Sequence, residues 1–150
     1  MTALTRAADV ARLLSLPADT SEAKFLSVAE TYQLDSQFEH QLGNHVHGAT
    51  LHQLAALARQ GAALRRDDDA IAVLALLCAA APEVVPVDAL VETTREASLW
   101  VITITGAGSL VARAAHPDSL TAARNAARAL LAREGAEGPH CDALREAVSR

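Results

Sequence analysis

Aromatic side chains are nearly absent from this chain: one tryptophan, one tyrosine and two phenylalanines make up 3% of its 150 residues. A core of stacked rings is thereby excluded, and the abundant alanine and leucine point to close packing between helix backbones. Lysine is scarcer still, with Lys24 alone among thirteen basic residues, a bias expected of a GC-rich coding sequence. The basic residues form no stripe or block and the net charge is −5, which argues against nucleic acid as a partner. The two cysteines, Cys78 and Cys141, are too far apart for a CxxC redox or zinc motif. Cys78 lies in an apolar run and reads as a buried small side chain. Cys141 follows Gly138-Pro139-His140 near an expected helix start, a place that favours thiolate, but one such neighbour does not make a nucleophile.

Long apolar stretches are also lacking. The longest run free of charge and histidine, 97–112, is diluted by glycine, serine and threonine and falls short of the roughly 20 apolar residues that span a bilayer. The first ten residues, MTALTRAADV, carry no apolar core or cleavage site of a secretory signal, so the cytoplasm is the expected location and no membrane partner is expected. With no proline-rich linker, low-complexity tract or exact internal repeat, a single helical domain over 1–150 is expected, large enough to bury roughly two thirds of its unfolded surface.

What is present is apolar spacing at three and four residues, with proline, glycine and aspartate between segments. It predicts a helix over 5–16 with Ala7, Val10 and Leu14 on one face. A second, capped by Asp19 and Glu22, carries Phe25, Val28, Ala29 and Tyr32 inward, and a short third runs from Asp35 to Leu42, closed by Gly43-Asn44. A helix from Thr50 buries Leu51, Leu54, Ala58 and Ala62. Asp67, Asp68 and Asp69 then cap a helix over 70–81, apolar almost all round and the expected centre of the fold. Pro82 and Pro86 interrupt, a helix runs on over 90–104, and two more cover 119–133 and the stretch after Pro139. The predicted fold class is all-α, a compact array of about seven to eight short antiparallel helices, either a closed bundle or a stack of helical hairpins.

The stretch Leu99-Trp-Val-Ile-Thr-Ile-Thr105 before Gly106-Ala-Gly108 also has the look of a strand and a phosphate-cradling turn. A lone GxG is a weak signal, however, and a single strand in a helical chain leaves its ladder groups unpaired, so the helical reading prevails here. Trp100 reads as core. The acidic triplet has no companion ligands for magnesium.

Four of the six histidines, His40, His45, His47 and His52, fall within thirteen residues. The helix map puts them at one corner: His40 at the end of a helix, His45 and His47 in the turn, His52 in the next helix's first turn. Imidazole ligates zinc, nickel and copper, so these four are the candidate metal ligands, with Glu39 as a possible carboxylate and zinc or nickel as the candidate ion. No HExxH motif or paired ExxH is present, and no nucleophile elbow. The leading expectation is therefore a non-enzymatic protein–protein interaction module, an adaptor, chaperone-like or neutralising partner that engages another protein, with a homodimer compatible with it. The competing expectation is a histidine-cluster metal-binding protein or metal-dependent enzyme.

Overall fold

The computed structural model describes residues 6–150, so the predicted helix start at Thr5 lies outside the described residues. Five helices and three strands follow in the order α1 (Ala7–Leu13), α2 (Glu22–Gln41), α3 (His45–Val84), β1 (Leu90–Glu96), β2 (Leu99–Gly106), β3 (Ser109–His116), α4 (Ser119–Leu131) and α5 (Pro139–Val148). The chain divides into two compact units, one to Asp68 and one from Asp69, the boundary falling within α3.

In the first unit, Val10, Ala11 and Leu14 of α1 meet Phe25 and Ala29 of α2 and Ala58 and Ala62 of α3. Ser21, not Asp19, caps α2, its hydroxyl accepting from the Lys24 N–H at 3.2 Å. Nothing breaks the helix at Asp35, so the two helices expected over this stretch are one of 20 residues. Gly61 admits the Phe25 ring, which lies 2.5 Å from where a Cβ would stand. Arg65 ties the α1–α2 loop to α3 through the carbonyls of Thr20 at 2.9 Å and Ala18 at 2.6 Å, and Arg66 pairs with Glu22 at 3.0 Å. These charges reach sideways instead of capping. With no glycine or proline among residues 62–81, α3 runs unbroken through the acidic triplet.

The second unit overturns the all-α, helical-bundle expectation. Residues 90–116 form a three-stranded antiparallel sheet in the order β1-β2-β3, not a helix. Valine, isoleucine and threonine crowd β1 and β2, where branching at Cβ costs nothing against a pleated backbone. The objection that a lone strand would strand its ladder groups fails, because three strands satisfy one another: Thr93 pairs with Ile102, and Ile102 with Ala114. Gly106-Ala-Gly108 belongs to the β2–β3 turn and opens no helix.

One sheet face, with Ile102, Ile104 and Ala114, packs on a core completed by Val73, Leu77 and Ala80 of α3, Leu120, Ala123, Ala127 and Leu130 of α4, and Leu144 of α5. Alanine on α4 lets that helix lie close to β2, β3 and α5. On the other face an ion pair joins Glu96 of β1 to Arg113 of β3 at 3.2 Å. It crosses β2 at the level of Val101, which is buried. Trp100 is only partly buried, its ring covered by the Arg95 guanidinium at 4.7 Å. The expected all-round burial of residues 70–81 is also corrected, since Ile71 and Cys78 are exposed.

Both residues of the β2–β3 turn have positive φ, Ala107 at +52° and Gly108 at +77°, the pattern of a type I′ turn. Alanine is strained there and asparagine is not. Ala107→Asn is expected to raise stability by about 0.5–1 kcal/mol in urea unfolding.

Candidate functional site

Two constellations gather polar and reactive side chains, one in each unit. The first is the α2–α3 corner. Helix α2 ends with Gly43 at φ +82°. The Gly43 N–H bonds the His40 carbonyl at 3.1 Å and the Asn44 N–H bonds the Glu39 carbonyl at 2.9 Å, a Schellman closure. Helix α3 begins at His45, five residues earlier than its spacing suggested, so His45 and His47 lie in its first turn and not in the loop. His40 and His45 face each other, Nδ1 to Nδ1 at 3.0 Å, one ring donating and the other accepting. The His40 ring lies over Gly48, with Nε2 2.8 Å from the position of an added Cβ. One turn back, the buried Ser36 hydroxyl donates to the Gly48 carbonyl at 2.6 Å.

His47 and His52 do not join this pair. Two residues along a helix turn His47 to the opposite side from His45, and His52 stands about two turns further on. Among the described residues no three histidine, cysteine or carboxylate side chains are grouped to hold a metal ion. A shallow hollow of about 470 Å³, lined by Gly43, Asn44, His45, Val46, His47 and Thr50, opens at the same corner.

The outer face of this corner carries what the sequence reading missed. Leu34, Phe38 and Leu42, spaced at four residues, are 58%, 59% and 59% exposed, and Val46, next in the series, is 86% exposed. Leu34 and Phe38 stand two residues either side of buried Ser36, hence on the opposite side of α2. The signal is a four-residue repeat, Gln33-Leu-Asp-Ser36, Gln37-Phe-Glu-His40, Gln41-Leu-Gly-Asn44, His45-Val-His-Gly48. Its second position points to solvent. Three of its fourth positions, Ser36, His40 and Gly48, lock the two helices together.

The second constellation is Glu83, His140 and Cys141. Glu83, in the last turn of α3, accepts from the Cys141 N–H at 2.8 Å and meets His140 Nδ1 at 3.3 Å. Its carboxylate thus caps α5 in place of the usual N-cap side chain, because Gly138 occupies that position with φ +140° and a Cβ there would fall on the carboxylate. Partial burial works to raise the Glu83 carboxyl, but the bonds from the Cys141 backbone and from His140 prevail and hold it below its ordinary 4.5. Burial, reinforced by the Glu83 carboxylate, pushes the Cys141 thiol up. Cys141 is fully buried and protonated, so its place at a helix start activates nothing. Iodoacetamide is expected to label Cys78 in the folded protein and Cys141 only after unfolding, as peptide mapping will show.

Removing the cap by Glu83→Ala is expected to lower the melting temperature by about 2–4 °C. The folded carboxyl binds its proton less readily than the unfolded one. Its contribution is therefore full above the ordinary 4.5 and is lost as the pH falls below that value through the depressed folded one. Melting curves of the protein and Glu83→Gln at pH 7 and pH 3.5 should show the gap between them shrinking in acid.

Neither family models, curated proteins nor solved structures match this chain. Among the described residues no helix is long and apolar enough to cross a membrane.

Proposed function

We propose that this chain is a non-catalytic protein-interaction module of the cytoplasm, an adaptor or neutralising partner whose contact surface is the outer face of α2. The observation that carries this reading is the exposed row Leu34, Phe38 and Leu42. Single exposed leucines are ordinary on soluble proteins, but three large apolar side chains at successive turns of one helix make a continuous ridge. Such a ridge is how one helix engages another protein's helix or groove. The Ser36–Gly48 bond and the His40 ring on Gly48 brace the helix behind it, so the ridge is offered on a rigid hairpin.

The test places a photo-crosslinking benzoylphenylalanine at position 34, 38 or 42, and at Thr94 of β1 as a control, in cells of the native host. Crosslinks from the three ridge positions to one segment of one identified protein, absent from position 94, support the reading. Equal or no crosslinking from the ridge removes it.

A second reading, metal binding, is favoured by one observation, the His40–His45 contact. Zinc bonds of about 2.0–2.1 Å hold two imidazole nitrogens about 3.3 Å apart, close to the 3.0 Å between these Nδ1 atoms. The ion would replace the proton the two rings share, and water would complete its shell. Calorimetric titration with zinc or nickel tests this: stoichiometric binding lost in both His40→Ala and His45→Ala supports it, and no binding, or binding indifferent to both, removes it.

A further inference from the structure

We infer that the occupant of the α2 ridge is a basic amphipathic helix of another protein, an assignment that rests on the reading of the ridge as a contact surface. Geometry indicates a helix. A row of side chains at i, i+4 and i+8 is the ridge that fits between the corresponding rows of a second helix crossing at about −50°.

Charge indicates a basic one. The 34 residues between Lys24 and Arg59 contain Glu30, Asp35 and Glu39 and no lysine or arginine. Elsewhere several acids are paired, Asp9 with Arg12, Glu22 with Arg66, Asp68 with Arg65, Glu96 with Arg113 and Asp142 with Arg145. Glu30, Asp35 and Glu39 enter no ion pair among the described residues. Three carboxylates outside any ion pair therefore flank an apolar row, Glu39 accepting only from the Asn44 amide at 2.8 Å and the Arg59 guanidinium meeting α2 at Gln33, at 3.5 Å. Lysine or arginine beside the leucines of an incoming helix would neutralise them while its apolar face covers Leu34, Phe38 and Leu42. A second copy of this chain fits worse. It brings the same three acids to the contact, and the only lysine or arginine of its α2 is Lys24, near the far end of that helix.

The test uses the full chain and two synthetic 18-residue helical peptides with the same leucine face, one with lysine and one with glutamate on the polar face, followed by calorimetry in moderate salt. The lysine peptide is expected to bind at least about ten-fold more tightly than the glutamate peptide. Asp35→Lys combined with Glu30→Lys should reverse that order. Glu92→Lys combined with Glu134→Lys, which changes net charge equally but lies in the other unit, should not. Phe38→Ser should weaken the lysine peptide at least about ten-fold while leaving the far-ultraviolet spectrum unchanged. A preference that the ridge-flanking reversal leaves intact, or that the distant reversal abolishes equally, overturns the basic partner and leaves the ridge standing. Indifference of both peptides to Phe38→Ser, or binding of neither, overturns the ridge as well.

Discussion

Replacing Phe25 with alanine is expected to cost the first unit about 3–5 kcal/mol, the largest loss available to any single side chain there. The ring is fully buried and, among the described residues, is the only aromatic side chain so placed. It shares its core with Ala29 of its own helix, Ala58 and Ala62 of α3 and Val10 of α1, and its edge lies against the bare Cα of Gly61. The alanines and the glycine have no rotamers with which to close a hole, so most of the cavity is expected to persist. The opposite error is also costly. Gly61→Ala drives a methyl into the same ring, and about 1–3 kcal/mol is expected for the displacement. Urea unfolding followed by circular dichroism measures both, and a Phe25→Ala variant within 1 kcal/mol of the parent contradicts this packing.

Ile102→Ala is expected to cost about 2–5 kcal/mol, towards the upper end. Ile102 lies on the middle strand, opposite Thr93 on one side and Ala114 on the other, and is 1% exposed. It belongs to the same core as Leu120, Ala123 and Ala127 of α4, so the sheet and α4 share what it contributes. An exposed position on the same sheet provides the contrast: Thr94→Ala should stay within about 0.5 kcal/mol. If 90–104 were helical as its three- and four-residue spacing suggests, 94 and 101 would share a face and 102 would not be singled out.

Legibility followed how much of each element's logic is local. The α4 start at Ser119 and the α5 start at Pro139 agree with the helices expected over 119–133 and after Pro139. Of the residues expected inward in the first unit, Phe25, Ala29, Ala58 and Ala62 are buried, while Val28, Tyr32, Leu51 and Leu54 are only partly so. The sheet was not legible. Its two turns carry Ala97-Ser98 and Ala107-Gly108 where Asn-Gly or Asp-Gly would signal a hairpin. Its middle strand does alternate over Ile102-Thr-Ile-Thr105, but with no partner strand signalled on either side the helical reading prevailed. The long α3 was read as two helices because three consecutive aspartates look like a cap, and only the positions of Ala18, Thr20 and Glu22 reveal where the neighbouring arginines go.

Of the candidate site, the sequence located the corner but not its geometry. Starting α3 at His45 instead of Thr50 rotates the four histidines so that only His40 and His45 meet. Val46, four residues beyond Leu42 but across the Gly43 turn, is exposed as well, like Leu34, Phe38 and Leu42. An apolar row normally turns inward, so spacing alone conceals one that does not.

The most direct measurement is a methyl NMR titration of the isotope-labelled chain with the lysine-faced peptide. The account predicts that the resonances shifted first and most are those of Leu34, Leu42 and Val46, while Leu77, Ile102, Leu120 and Leu144 stay within the line width. Shifts largest among the second unit's methyls, or none at saturating peptide, would contradict it.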